Sequence, residues 1–137
     1  MTLEAERKSW SGLETTLGYR RTEWEEGRGV LELDLDERHE NIAGRVHGGI
    51  YAMLLDDAAG YALCWNSDRS RGRPGVTLSL SVNFIGVPTT RRVIATGWRT
   101  GGGKSTSFAR AEVRDADGVL LATGEAVYKH FSKAAKT

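Results

Sequence analysis

HENIAGRVHGGIYAMLLDDAAGYALCW, residues 39–65, is the stretch around which the chain must fold. From about Gly48 to Asn66 it is apolar on every side except at Asp56 and Asp57, which predicts a helix buried on all faces. At about 1.5 Å per residue that helix is roughly 28 Å long, near the thickness of a bilayer core. Adjacent aspartates at the midpoint are costly in lipid and no apolar run reaches the length needed, so a membrane span is excluded. The helix reads as the buried centre of a soluble domain.

The residues before it are unusual. Asn41, Gly44, His47, Gly48 and Gly49 lead into the helix, where paired glycines cost backbone entropy unless something approaches the main chain closely. The unpaired N–H groups of a first helical turn, at the positive end of the helix dipole, favour a developing negative charge, which is how an oxyanion hole is commonly built. A plainer alternative stays open, that the glycines only ease a tight turn. The aspartates have one too, since a buried carboxylate often serves only to bond nearby backbone or an arginine.

Further out, the chain fits one domain spanning residues 1–137: it is 39% hydrophobic and 27% charged, enough to bury a real core. The net charge of +1 gives no electrostatic case for nucleic acid or a polybasic membrane surface and points to a small-molecule or protein partner. Cys64 is the only cysteine, which rules out an internal disulfide and leaves helix packing as its role. Glu4, Glu6, Arg7 and Lys8 fall where a signal peptide needs an apolar core, so no export signal and a cytoplasmic location are expected.

Residues 3–13 can form a short helix. A strand over Leu17 to Glu25 and another over Val30 to Asp36 should make a hairpin about the turn Glu26–Gly29; the second alternates Leu31, Leu33 and Leu35 with acidic residues. After an exposed loop over Asn66–Pro74, Val76 to Phe84 is the cleanest strand. Val76, Leu78, Leu80, Val82 and Phe84 share one face, expected against the helix, with Thr77, Ser79, Ser81 and Asn83 opposite. Arg92–Thr100, Ser105–Asp115 and Val119–Phe131 read as three more antiparallel strands, followed by a frayed tail over residues 132–137. One long helix and about six such strands make an α+β fold in which the sheet curls round the helix.

Gly101-Gly102-Gly103-Lys104-Ser105-Thr106 looks like a phosphate-binding loop, but Trp98 stands where its first glycine belongs and a strand follows. His39, His47 and His130 are too scattered for a metal site, and no serine sits in a nucleophile elbow. The carboxylates are the chemistry left. Asp56 lies eight residues beyond Gly48, about 12 Å along the axis, so the two cannot touch one carbonyl unless they come from different subunits. The expectation is a homodimer with two equivalent interface sites.

Asn41-Ile42-Ala43-Gly44-Arg45-Val46-His47-Gly48-Gly49, followed by Leu55-Asp56-Asp57-Ala58-Ala59-Gly60, resembles the signature of the hotdog-fold thioesterase superfamily in its phenylacetate-pathway (PaaI-like) branch. The resemblance covers about Leu17 to Phe131 and implies a hotdog fold, a five- or six-stranded antiparallel sheet wrapped round one long central helix. Members dimerise through the sheet edge and often pair dimers into tetramers. It implies hydrolysis of an acyl-CoA, aromatic or medium-chain, to free acid and coenzyme A, with no cofactor and no metal. By matching position, Gly48 would donate its backbone N–H to the thioester oxygen, His47 and Asn41 would position thioester or water, and Asp56 of the other subunit would be nucleophile or general base. Thr77 matches a position where a hydroxyl residue holds water or substrate in some members, an ordinary outward strand threonine being the plainer alternative; Gly49 is a further candidate substrate-binding residue, and Lys104 a candidate partner for a CoA phosphate. Asp57 reads as structural. Thr89-Thr90-Arg91-Arg92 departs from the acidic turn many members carry after Pro88. A non-catalytic acyl-CoA-binding protein and an acyl-thioester dehydratase or hydratase are the alternatives.

Overall fold

The computed structural model describes residues 11–65 and 73–131. The expectations for residues 3–10, 66–72 and 132–137 lie outside them. Helix α1, Gly12–Leu17, is capped at its start by the Ser11 side chain accepting from the Glu14 N–H, and at its end by Gly18 in the left-handed conformation. Leu17 therefore closes a helix and does not open a strand. The Ser-x-x-Glu spacing of Ser11 and Glu14 is the sequence signal for that start.

Strands β1, Arg20–Glu25, and β2, Arg28–Asp34, form the expected hairpin. Its turn is tighter than expected: Glu25 pairs with Arg28 across Glu26 and Gly27, so Gly29 lies inside the strand. A short 3-10 turn, Glu37–His39, and the loop over residues 40–47 lead into helix α2, Gly48–Cys64. Strands β3, Gly75–Phe84, β4, Arg92–Gly102, β5, Thr106–Asp115, and β6, Leu120–His130, complete a six-stranded antiparallel sheet in the order β1-β2-β4-β5-β6-β3. The residues after the glycine run, Thr106–Asp115, are strand where a phosphate-binding loop would need helix; the strand starts one residue later than the expected Ser105.

Helix α2 lies across this sheet on one stripe. Tyr51, Leu54, Leu55, Ala58, Ala59, Ala62 and Leu63 are buried, a spacing of three and four that marks a single face. The expectation of burial on all faces is corrected: Ala52, Met53, Asp56 and Gly60, opposite the stripe, are only half-buried within one chain. The apolar sequence is real, but a six-stranded sheet curls over one side of a helix and leaves the other uncovered.

The approach is unusually close. Gly29 and Gly97 are cross-strand partners, and a Cβ at Gly97 would overlap the Ala58 carbonyl while one at Gly29 would lie 2.6 Å from the Tyr61 Cβ. Ala95, Ala109, Ala111 and Ala126 continue this low bed, and Leu31, Leu33 and Leu121 close its sides.

A second correction concerns β3. An irregularity between Thr77 and Ser79 in its pairing with β6 shifts the alternation by one residue. Leu80 and Val82 pack on the core as expected, but Thr77 turns inward beside α2, while Val76 and Leu78 are 43% and 61% exposed. Phe84 is also exposed. The alternating pattern cannot reveal an inserted residue that changes its phase.

Asp115, 2% exposed, ties the far end of the sheet together. Its carboxylate accepts from the Thr89 N–H at 2.7 Å, the Thr89 hydroxyl at 2.8 Å, and the N–H groups of Asp117 and Val119 at 3.0 Å each. Burial would raise its pKa, but these donors hold it below the usual carboxylate range. A lowered folded pKa adds stability above the unfolded value of about 3.9, and that stability is lost as pH falls through the folded value. Asp115→Asn should therefore melt below the wild type at pH 7, with the gap closing on acidification below about pH 4.

Gly97→Ala should cost about 2 kcal/mol and lower the melting temperature by about 5–10 °C. Gly60→Ala, in mid-helix with nothing within 4 Å of its added Cβ, should raise it by a few degrees, about 0.5–1 kcal/mol. Calorimetry of both variants checks the pair of signs.

Candidate active site

The first turn of α2 is built by His47. Its ring Nδ1 accepts from the Gly49 N–H at 2.8 Å and its carbonyl from the Ile50 N–H at 2.9 Å. A Cβ at Gly49 would come within 2.9 Å of that ring nitrogen, so the second glycine makes room for the cap. The Gly49 N–H is thus occupied, whereas the Gly48 N–H has no acceptor among the described residues. Gly48 is left as the open donor at the positive end of the helix.

Asn41 works on the preceding loop. Its side-chain oxygen accepts from the Ala43 and Arg45 N–H groups at 3.0 and 3.2 Å, an arrangement that folds residues 41–45 into a turn and leaves the amide NH₂ to point elsewhere. A cavity of about 400 Å³ opens beside the helix start, lined by Gly44, Arg45, Val46, Gly48, Tyr51, Phe84, Gly86, Val87, Pro88 and Arg91.

The two aspartates sit elsewhere and differ from one another. Asp56 takes the Thr77 hydroxyl on Oδ1 at 2.7 Å, a contact made by the phase shift in β3. Asp57 takes the Tyr19 hydroxyl on Oδ2 at 2.5 Å. Burial is the main reason that the Asp57 pKa is raised; the Tyr19 bond opposes the rise, and the charges of Asp56 and Glu14 add to it. Tyr19, 1% exposed, has its own pKa pushed far up by burial and by Asp57.

Asp56, Asp57 and Thr77 line a larger cavity of about 590 Å³. Its walls include residues the sequence reading passed over: Glu14, Arg21, Trp24, Tyr61 and Tyr128. The Trp24 indole donates to the Tyr61 carbonyl at 2.7 Å and meets its ring edge-on at 5.6 Å, with the Arg21 guanidinium 4.4 Å over Trp24. The Tyr61 hydroxyl donates to Glu14 at 3.2 Å; burial first, then the Glu14 charge, push its pKa up to about 12. Cys64 also lines this cavity, 2.9 Å from the Tyr128 hydroxyl. Lys104 lies in the β4–β5 turn, where its carbonyl accepts from Arg73, another lining residue, at 3.0 Å.

Two other arrangements are set aside. Ser107 Oγ lies 2.6 Å from His130 Nε2, yet the pair is 1% and 5% exposed, sealed from any large substrate. Among the described residues no three His, Cys, Asp or Glu side chains group to hold a metal ion, and no helix is long and apolar enough to cross a membrane.

One chain thus carries two separate half-sites, an open helix N-terminus in one cavity and a hydroxyl-held carboxylate in the other. Comparison with known proteins gives this geometry a context. The family model described as the thioesterase superfamily matches residues 43–122. Human acyl-coenzyme A thioesterase 13 is 28% identical over 100 residues, covering 72% of this chain and 69% of its own. The PaaI protein of the E. coli phenylacetic acid degradation operon superposes with a TM-score of 0.80 at 20% identity, over 94% of this chain and 90% of that one. A thioesterase family protein of Silicibacter pomeroyi superposes with a TM-score of 0.80 at 24% identity, over 93% of each chain.

The raised pKa of Asp57 has a sign opposite to that of Asp115. The folded state holds this proton more tightly than the unfolded one, so stability falls as pH rises from about 3.9 through the folded value. Asp57→Asn, whose amide oxygen still accepts from Tyr19, should melt higher than the wild type at pH 8, the gain vanishing by pH 3. Thermal melts across that range check it.

Proposed function

Since this chain belongs to the thioesterase superfamily and is a thioester hydrolase, we propose that it cleaves acyl-coenzyme A, with an aromatic or medium-chain acyl group, at composite sites between two copies. The observation that carries this reading is the pair of half-sites. Gly48 and Asp56 are eight residues apart on one straight helix, about 12 Å, too far to meet at a single carbonyl within one chain.

In this reading the thioester carbonyl oxygen accepts from the Gly48 N–H of one copy. Asp56 of the other copy attacks the carbonyl carbon or deprotonates the water that does; Thr77 on Oδ1 leaves Oδ2 free for that work. The tetrahedral oxyanion is met by the Gly48 N–H and collapses, breaking the C–S bond and releasing coenzyme A, which recovers a proton; the water route gives the free acid at once, whereas direct attack leaves a mixed anhydride on Asp56 that water then hydrolyses to the acid, restoring the carboxylate. His47 fixes the helix start from which Gly48 donates, and Asn41 shapes the loop beside it. Gly49 serves as room for the His47 ring, and Lys104, whose carbonyl accepts from Arg73, is the candidate partner for a CoA phosphate.

A homodimer is supported from two directions. The half-open face of α2 around Ala52, Met53 and Asp56 is apolar apart from its carboxylate, and β3 is an edge strand with Val76, Leu78 and Phe84 exposed, followed by exposed Ile85 and Val87. A long bare apolar edge is a surface that proteins cover, and a second copy in twofold symmetry covers it with its own equivalent.

Release of coenzyme A from phenylacetyl-, benzoyl-, hexanoyl- and longer acyl-CoA thioesters tests the activity. At least one should turn over, Asp56→Asn should lose about 100-fold or more in kcat, and Thr77→Val about 10-fold. Gly48→Pro, which deletes the N–H at a position where proline suits the helix, should also fall about 100-fold. Mixing the Asp56→Asn and Gly48→Pro proteins should restore about a quarter of wild-type activity, since half the dimers are mixed and each holds one intact site. No recovery from well-mixed dimers rejects the composite site.

A further inference from the structure

The chemistry proposed for Asp56 leaves its neighbour unused. Asp57 sits about 100° round α2 from Asp56, and both are half-buried. Its Oδ2 accepts from the Tyr19 hydroxyl at 2.5 Å, and Tyr19 is sunk in the core, so the carboxylate is held in place. Thr77 holds Asp56 from the edge strand in the same manner. Among the described residues neither carboxylate forms an ion pair. The titratable groups facing Asp57 are Tyr19, Glu14 of α1, Asp56 and, one turn further along α2, Tyr61; Arg21 of β1 and Arg73 before β3 line the shared cavity. Like charges fixed side by side away from bulk water repel one another.

We propose that Asp57 is a positioning residue of the hydrolysis, acting through Asp56: fixed by Tyr19, it sets a second negative charge beside the reacting carboxylate and repels charge off it as the thioester is attacked. This rests on the reading of Asp56 as nucleophile or general base. Along either route Asp56 begins with a full negative charge and loses it. In direct attack the charge passes to the thioester oxygen facing Gly48 of the other copy; as a base, Asp56 takes a proton from the attacking water. Repulsion from Asp57 is therefore present before the step and relieved during it, which raises kcat without tightening substrate binding. Asparagine at position 57 would accept from Tyr19 equally well and stand beside Asp56 without repulsion. The carboxylate thus lowers stability where it serves the reaction, a trade common at functional sites.

The test follows kcat and KM between about pH 4 and pH 9 on the acyl-CoA of the panel that turns over fastest, with the wild type, Asp57→Asn, Asp57→Glu and Tyr19→Phe. At pH 8 Asp57→Asn should lose about tenfold in kcat with KM unchanged, although it melts higher than the wild type. That deficit should shrink towards none as acid protonates Asp57 in the wild type. Asp57→Glu, which keeps the charge, should recover part of the rate. In Tyr19→Phe the lost hydrogen bond, which opposes the rise of the Asp57 pKa, should move the onset of full activity to higher pH. Equal kcat in the wild type and Asp57→Asn, or a deficit that is the same at every pH, overturns the role of Asp57 and leaves the thioesterase reading intact. Titration of the aspartate carboxyl carbons by 13C NMR separates the two questions. The Asp57 midpoint should fall in Asp56→Asn, where the neighbouring charge is gone; an unchanged midpoint overturns the inference whatever the chain hydrolyses. A wild type that hydrolyses none of the panel while the midpoint shifts removes the reading of Asp56, and the inference with it.

Discussion

Where α2 crosses the sheet, the Ala58 carbonyl stands directly on the backbone of Gly97, with Gly29 as its cross-strand neighbour. Any side chain on either glycine would lift the helix. Because protein interiors are packed to the density of organic crystals, lifting it would open space under Leu54, Leu55 and Leu63 that nothing nearby can fill. The small residues Ala58, Ala59 and Ala62 on the helix, and the alanines of β4, β5 and β6 beneath, are one device for bringing two backbones together. The seat fixes height, rotation and register of the helix, and through them every group at the two cavities.

Once the stripe from Tyr51 to Leu63 faces the sheet, Asp56 and Asp57 are turned to the margins of the contact, neither sealed in the core nor free in solvent. They lie one residue apart, about 100° round the helix, and so meet different partners. Asp57 meets Tyr19 from the segment after α1, and Asp56 meets Thr77 from the edge strand. The same rotation exposes the Gly48 N–H beside Phe84 and the loop over residues 85–88. Two chemistries are thereby laid out at separate places on one rod, and the uncovered face of the rod is where a second copy brings them together in the proposed assembly.

Much of this could be read in advance. The apolar run with its entry of Asn41, His47 and paired glycines, the alternation of β2, and the turn residues between β4, β5 and β6 are local signals, and each produced the element expected. The inward Thr77 was hidden, because one irregular residue in β3 reverses the phase of an otherwise clean alternation. Burial of the helix on all sides was overread, because composition records that a face is apolar without recording what covers it. Glu14, Tyr19, Trp24 and Tyr61 carry no local signal because they are 37 to 47 residues from their partners in sequence and obey no spacing rule. A short helix was expected over residues 3–13, and α1, Gly12–Leu17, overlaps only its end.

The sequence by itself determined what the backbone and its nearest neighbours decide: the helix and its unusual start, the strands, the family signature from Asn41 to Gly60, and which carboxylates could bear chemistry. These follow from periodicity, capping and turn preference, which act over a few residues. The tertiary structure alone decided which aspartate holds a hydroxyl from β3 and which a buried tyrosine, that the Gly48 N–H is open while the Gly49 N–H is spent on His47, and that Glu14 and Tyr61 come to line the cavity of Asp56. Such differences depend on where distant side chains arrive once the helix is seated, and that position is set by the summed packing of the whole sheet against it.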